Sequence, residues 1–178
     1  MALMGTGQPY GSIAQIAYVV ADIETAVEAY VARMRVGPWF VVGPFHPAKP
    51  VYRGKAIVPH VSIALAYTGT MMIELIQQHD DAPSVFVEAV QARGYGFHHW
   101  GIAVEDFDRE LDGYLAKGYE IAYSDTAPMG MRVAYMDTFR DLPGMVELLE
   151  GNAAFEEFFT PIYRASVGWD GRDPLRKV

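Results

Sequence analysis

The chain has 178 residues, of which 51% are hydrophobic, 13% aromatic and 20% charged, and its formal net charge is −8. This composition is typical of a folded globular protein and excludes a disordered chain. The acidic balance disfavours nucleic-acid binding, because binding to phosphates requires a basic surface. The sequence contains no cysteine, which excludes disulfides and thiolate ligands, so a bound metal would have to be held by histidine, carboxylate or amide groups.

Neither a membrane span nor a secretory leader is predicted. No stretch reaches about 18 consecutive apolar residues, and the first residues, MALMGTGQPYGS, lack a basic region followed by an apolar one. We therefore expect a cytoplasmic protein that does not interact with membranes.

The chain contains an internal repeat with an offset of 84 residues. The segment SIAQIAYVVADIE at residues 12–24 aligns with GFHHWGIAVEDFD at residues 96–108. In each copy an apolar run ends at an aspartate, Asp22 or Asp106, whose side chain can accept a backbone N–H at the start of a helix. Apolar residues at helical spacing follow both aspartates. Each half is therefore predicted to begin with a strand and then a helix.

Three further strands are predicted after each helix. They cover Trp39 to Val42, Val58 to Tyr67 and Met71 to Gln78 in the first half, and Tyr119 to Ser124, Met131 to Asp137 and Met145 to Glu150 in the second. The repeating unit is therefore βαβββ. We expect an α+β fold in which two tandem βαβββ modules form a curved mixed sheet that encloses a ligand cup, with the helices packed outside.

The repeat also predicts how the chain is divided. The predicted segments are a first module at residues 1–78, a linker helix within 79–95, a second module at 96–150, and a C-terminal helix and arm at 151–178. The arm carries the apolar segment AFEEFFTPIY, which favours a homodimer. The cup could form within one chain or between two.

Polar residues occur on strand faces that are otherwise apolar. Because side chains alternate along a strand, Gln15 and His99 share a face with small residues in the first strand of each half. In the last strand of each half, Glu74 and Glu147 lie among apolar residues. Burial of an unpaired carboxylate is costly, so each glutamate needs a partner, and a shared cation would serve both.

The repeated units, with the segments AQIAYVVAD, MIELIQ, HHWGIAVED and MVELLE in this order, resemble the vicinal oxygen chelate superfamily over roughly residues 12–150. That superfamily includes glyoxalase I, methylmalonyl-CoA epimerase, extradiol dioxygenases and bleomycin-resistance proteins. The resemblance implies a divalent metal, Zn, Ni, Co or Mn, bound by Gln15, Glu74, His99 and Glu147. This set is similar to one glyoxalase I ligand pattern. The HHWGIAVEDFD segment is closer to methylmalonyl-CoA epimerases, whose first ligand is usually histidine, and Gln15 departs from that pattern.

Such a site implies a particular chemistry. Four protein ligands leave two octahedral positions for neighbouring oxygens of a small-molecule substrate. The metal would act as a Lewis acid and stabilise the enolate that forms when a proton α to a carbonyl is removed. Glu74 and Glu147, related by the repeat, would be the catalytic residues that remove and return the proton. The implied function is a metal-dependent isomerase, epimerase or lyase that acts on a small thioester or hemithioacetal.

Two other functions remain open. A binding or sequestering protein of the same fold would use the cup without a metal. An iron-dependent ring-cleaving dioxygenase would need a second histidine at the position of Glu74, and the glutamate there counts against it.

Two further residues are predicted to bind substrate. His60 follows the alternation of its strand and could line the cup or have a structural role. Arg53 lies in the basic segment FHPAKPVYRGKAI at residues 45–57, which could bind a carboxylate, a phosphate or a CoA tail, or form a solvated loop. His98 is expected to face the helix layer beside Trp100.

Overall fold

The computed structural model describes residues 2–127 and 130–178. In these residues the helices are Ile23–Met34 (α1), Val85–Arg93 (α2), Phe107–Ala116 (α3) and Ala153–Ser166 (α4). The strands are Ile13–Val19 (β1), Trp39–Phe45 (β2), Val51–Tyr52 (β3), Lys55–Ala56 (β4), Val61–Thr68 (β5), Met71–Gln78 (β6), Gly96–Val104 (β7), Glu120–Thr126 (β8), Arg132–Asp137 (β9), Met145–Glu150 (β10) and Leu175–Lys177 (β11). The predicted α+β fold is confirmed. None of the helices within these two ranges is both long and apolar enough to cross a membrane.

The strands of the described residues form one open mixed sheet, in the order β11-β2-β5-β6-β1-β7-β10-β9-β8-β3-β4. The first strands of the two halves, β1 and β7, are antiparallel neighbours at its centre, and each is flanked by the parallel last strand of its own half, β6 or β10. The register repeats, since Ala17 opposes Glu74 as Gly101 opposes Glu147. Equivalent residues of the two halves therefore lie on either side of the β1–β7 pairing, within one chain.

The two repeated helices start where the sequence predicts. The Asp22 carboxylate accepts the backbone N–H of Thr25 at 2.8 Å, and that of Asp106 accepts the N–H of Arg109 at 3.1 Å. Both α1 and α3 pack on the convex face of the sheet. Their contacts are the alternate apolar residues of the strands, namely Ile16, Tyr18, Ile73 and Leu75 for α1 and Ile102, Val104, Val146 and Leu148 for α3.

The segment between β2 and β5 differs from the predicted loop. Strand β5 begins at Val61 and not at Val58, three residues later than predicted and just after Pro59, which has no N–H to donate. Upstream, β3 and β4 form a small hairpin that pairs with β8 at the far edge of the sheet. Arg53 in its turn contacts Glu88 at 2.5 Å and Asp137 at 2.9 Å. This segment therefore connects the first half of the chain to the second.

The C-terminal segment lies over the concave side of the sheet. Phe155, Phe159 and Ile162 of α4 pack in one cluster with Leu65 and Leu149. The end of the chain then adds β11 in parallel to β2. The apolar residues of the arm are thus used within the chain, and the homodimer stays a prediction.

The central pairing depends on a glycine. Gly101 opposes Gln15 across the β1–β7 pairing. A Cβ at position 101 would come within 2.8 Å of Gln15 Cβ and 3.2 Å of Leu149 Cδ1. Larger side chains at this point would push the two strands or the Gln15 side chain out of place, because interiors are close-packed.

Gly101→Ala is expected to lower the free energy of unfolding by about 1–3 kcal/mol through overpacking. Gly113→Ala is the matched control: position 113 lies in α3 with no atom within 4 Å of a new Cβ, so the change should raise stability by about 0.5–1 kcal/mol. Urea denaturation of both variants measures the difference. Equal effects of the two substitutions would contradict the close approach at Gly101.

Candidate metal centre

Four polar side chains meet on the concave face at the centre of the sheet. Gln15 of β1, Glu74 of β6, His99 of β7 and Glu147 of β10 come from the four central strands, and all four are buried. Each projects from a position that alternation places opposite the helix-facing residues. The structure therefore brings together the four residues that the repeat and the resemblance single out.

The side chains contact one another directly. Gln15 Nε2 donates to Glu74 Oε2 at 2.5 Å. His99 Nε2 lies 3.4 Å from Glu74 Oε2 and 3.1 Å from Glu147 Oε2. One ligand atom each from Glu74, His99 and Glu147 lies within 4.8 Å of the others. Carboxylate oxygens and imidazole nitrogens at this separation are suitable donors for one divalent cation.

One oxygen of the cluster lacks an aligned hydrogen-bond donor. Glu147 Oε2 is buried, and no donor among the described residues is aligned to hydrogen-bond with it, although His99 Nε2 is 3.1 Å away. A buried carboxylate oxygen without a donor is energetically costly. A cation between the two carboxylates would satisfy it, so the donor set fits a divalent metal.

The pKa values in the cluster reflect the shared burial. Burial alone would lower the pKa of His99, but the carboxylates of Glu147 and Glu74 outweigh it and raise that pKa to about 9. Burial raises the pKa of Glu74, although His99 opposes the shift. Both raised pKa values favour protonated Glu74 and His99 near neutral pH, and metal binding would displace these protons.

Gln15 presents its amide nitrogen to the cluster. Nε2 donates to Glu74 and lies 3.4 Å from His99 Nε2. A half-turn about the terminal bond of the side chain would exchange the amide nitrogen and oxygen. Gln15 can therefore act either as a donor that holds Glu74 or, through its oxygen, as a ligand.

The prediction that His98 faces the helix layer beside Trp100 is wrong. The β1–β7 pairing passes from Ala17–His99 to Tyr18–Phe97, so that His98 is the extra residue of a β-bulge. The bulge turns His98 to the concave side, where its ring lies 5.3 Å from Phe86 and 6.0 Å from Tyr135. Trp100 packs with the α3 cluster. Alternation fails at a bulge, and no residue type in this segment signals one.

The displaced His98 fixes the orientation of His99. His98 Nε2 lies 3.1 Å from the carbonyl oxygen of Val85, so it must donate. Burial lowers the pKa of His98 to about 3, and its unprotonated Nδ1 accepts from His99 Nδ1–H at 2.8 Å. His99 Nε2 is thereby directed at the two glutamates. A metal-binding histidine is commonly held by such a bond from its other nitrogen.

The cluster opens on an apolar cavity of about 220 Å³. Gln15, Glu74 and Glu147 line it, whereas His99 is fully buried. Most of the other lining side chains are aliphatic or aromatic and come from the sheet, from α2 and from α4. A small ligand in the cavity would therefore lie against the two glutamates.

Tyr135 is a cavity residue that the sequence did not single out. It opposes Glu147 in the β9–β10 pairing, and its ring lies 4.7 Å from that of His99. Burial and the nearby charges of Glu147 and Glu74 raise the pKa of Tyr135 well above its ordinary range, so the phenol stays protonated. The register of the two predicted strands was the available signal, but a sequence does not give register directly.

Neither of the two predicted substrate-binding residues is among the side chains that line this cavity. His60 precedes β5, where its ring stacks on His46 at 4.7 Å and its backbone N–H donates to Asp80. Arg53 is held by Glu88 and Asp137. Their contact with a substrate stays a prediction.

Residues 14–135 match the sequence profile of the Glyoxalase/Bleomycin resistance protein/Dioxygenase superfamily. The chain belongs to this superfamily, as its repeat and fold also indicate. No curated protein matches the chain.

Solved structures of similar fold cover most of the chain. A hypothetical protein from Bacillus halodurans C-125 is 19% identical, with a TM-score of 0.58, over 79% of this chain and 94% of its own. A Streptomyces coelicolor methylmalonyl-CoA epimerase variant in complex with 2-nitronate-propionyl-CoA is 19% identical, with a TM-score of 0.57, over 82% and 98%. The methylmalonyl-CoA epimerase from Mycobacterium tuberculosis is 18% identical, with a TM-score of 0.55, over 84% and 97%. These likenesses establish the fold.

His98→Phe is expected to lower the free energy of unfolding by about 2–4 kcal/mol. The change leaves His99 Nδ1–H and the Val85 carbonyl without partners, and each such buried group costs about 1–3 kcal/mol. Denaturant unfolding measures the loss, and nitrogen NMR of His99 reports whether its Nδ1 proton is still bound.

His46→Phe serves as the control, since His46 is exposed and its single bond, to the Pro59 carbonyl, can be replaced by water. His46→Phe should change the free energy of unfolding by no more than about 0.5 kcal/mol. If His98→Phe is equally mild and the His99 signal is unchanged, His98 does not orient His99.

Proposed function

We propose that this member of the superfamily is a metal-dependent isomerase, epimerase or lyase that moves a proton at a carbon α to a carbonyl group. The observation that supports this most directly is the buried Glu74–His99–Glu147 cluster facing an apolar cavity, with one carboxylate oxygen that has no aligned hydrogen-bond donor among the described residues. The paired glutamates supply two proton acceptors, the arrangement that a two-base epimerisation uses.

The residues that would hold the metal are Glu74, His99 and Glu147, with Gln15 as a fourth ligand through its amide oxygen. Oxygen and nitrogen ligands of this kind are consistent with Zn, Ni, Co or Mn. When bound, the metal would supply Lewis-acid polarisation of a substrate carbonyl oxygen.

Proton transfer and substrate orientation would be carried out by the protein side chains. Glu74 and Glu147 come from equivalent strands of the two halves and both face the cavity. One carboxylate can accept the α proton and the other can return it to the carbon. The neutral phenol of Tyr135 lies beside Glu147 and can donate a hydrogen bond to a substrate oxygen. The apolar walls exclude water, which strengthens each of these interactions.

A binding protein without activity is the second candidate. The apolar walls of the cavity suit simple ligand capture equally well. That reading leaves the buried Glu147 Oε2 without an explanation. Proton exchange at a bound substrate separates the two functions, because capture alone does not require it.

Untagged protein is expected to bind about one divalent ion per chain, and Glu147→Gln should weaken its affinity at least tenfold, because an anionic ligand is replaced by a neutral amide. Elemental mass spectrometry after dialysis against Zn, Ni, Co and Mn measures the content, and titration against a chelator measures the affinity. Glu150→Gln is the matched control: the residue lies on the same strand but pairs with Arg132 away from the cluster. A wild-type protein that stays empty in all four metals would refute the proposed centre.

The metal-loaded protein is expected to catalyse exchange of the α proton of a suitable carbonyl compound in D2O. Glu74→Gln and Glu147→Gln, each assayed at saturating metal, should slow exchange by about 10²–10⁴-fold, the usual contribution of a positioned acid or base. Proton NMR on a set of α-hydroxy ketones, hemithioacetals and 2-methyl-acyl thioesters follows the reaction. Exchange that survives both substitutions would assign the chemistry to other groups.

A further inference from the structure

We propose that the substrate of this site carries no negative charge and is a small, largely apolar carbonyl compound with two neighbouring oxygens. This inference rests on the proposed function, because it concerns the same cavity. It narrows the thioester and hemithioacetal classes to their uncharged members.

The size and walls of the cavity favour a small apolar body. Its volume of about 220 Å³ lies below the range of roughly 300–1,000 Å³ that is typical of small-molecule sites. Aromatic and aliphatic side chains dominate the lining, including Phe45, Ile63, Phe86, Met131, Val133 and Phe158. The contacts available to most of a substrate are therefore dispersion and burial of apolar surface.

The charges that line the cavity have one sign. Among the described residues, Glu74, Glu147 and Asp125 line it, and no lysine or arginine does. A divalent cation would balance the two glutamates and leave the Asp125 carboxylate. Asp125 accepts backbone N–H groups, including that of Lys49 at 2.7 Å. An anionic substrate group would enter this cavity without a cationic partner, which is strongly unfavourable.

Arg53, the cation that the sequence predicts to bind substrate, is already neutralised. Arg53, on the hairpin that crosses to β8, contacts the carboxylates of Glu88 and Asp137, and Tyr52 donates to the same Glu88. To bind a phosphate or carboxylate, Arg53 would have to give up two ion pairs. Coenzyme A and glutathione adducts carry several negative charges and thus lack a partner here.

The test compares two substrates that differ only in a remote charge. The probes are the para-carboxamide and the para-carboxylate of 1-hydroxy-1-phenylpropan-2-one. They are nearly equal in size and share the two neighbouring oxygens and the exchangeable α proton. Metal-loaded protein is given each compound in D2O, proton NMR measures exchange, and ligand-observed NMR measures binding. We expect the uncharged compound to bind and exchange at least tenfold better.

Charge reversal at the wall supplies a second measurement. Asp125→Lys should improve binding of the para-carboxylate relative to the uncharged compound at least tenfold. Asp112→Lys makes the same change in net charge on an exposed position of α3 and should leave the ratio as it is. An equal effect of both substitutions would mean that overall charge, and not the cavity, sets the preference.

The outcomes separate this inference from the proposed function. Equal or better binding and exchange of the para-carboxylate would overturn the inference while the proposed function stands. If neither compound exchanges on protein that holds metal, the ratio of the two binding affinities decides: tighter binding of the uncharged compound supports the inference, and equal or weaker binding overturns it. Protein that binds no metal and exchanges neither compound refutes the proposed function, and the binding ratio still shows whether the cavity rejects negative charge.

Discussion

The antiparallel pairing of β1 with β7 is the constraint on which the site depends. It places the first strands of the two halves side by side, so that each parallel neighbour, β6 or β10, brings one glutamate to the same point. Gly101 permits the approach, since a side chain there would collide with Gln15. A slip of one residue in this register would turn the polar residues to the helix face and bury a different set. The site is thus a consequence of strand pairing, without any contribution from loops.

The cluster works against the stability of the fold. Two carboxylates and an imidazole are buried among apolar strands, where charges are weakly solvated and repulsion between them is strong. His99 offsets part of that repulsion, as its raised pKa shows. Glu147 Oε2 lies 3.1 Å from His99 Nε2 but has no aligned hydrogen-bond donor among the described residues, so its burial is only partly offset. A fold that retains such a group, with Gln15 and His99 beside it, is better explained by ligand binding than by packing.

The sequence predicted the fold and the face on which Gln15, Glu74, His99 and Glu147 meet, because both follow from periodicity and repetition. Alternation in β6 and β10 was sufficient to assign Glu74 and Glu147 to one face, and the repeat offset was sufficient to relate Gln15 to His99. The sequence-based prediction failed where the alternation of side chains along a strand is interrupted and where the chain forms an unexpected hairpin. The bulge at His98 and the hairpin around Arg53 depend on register and long-range pairing, which leave little trace in local residue types. The residues that line the cavity could not be predicted either, because α2 and α4 contribute to it from distant parts of the chain.

The repeat explains why the two first-strand residues differ in their surroundings. A second bulge lies in β1 between Ile13 and Gln15, and its extra residue, Ala14, is the repeat equivalent of His98. Both bulges direct two consecutive residues to the concave side, but Ala14 offers no hydrogen bond, whereas His98 fixes the imidazole of His99. An imidazole needs that support, since the hydrogen bond at one ring nitrogen determines the orientation of the ring and which nitrogen carries a proton. An amide carries donor and acceptor at one end and can exchange them by rotation. The half with Ala14 can therefore hold a glutamine whose amide can turn, while the half with His98 holds an imidazole of fixed orientation.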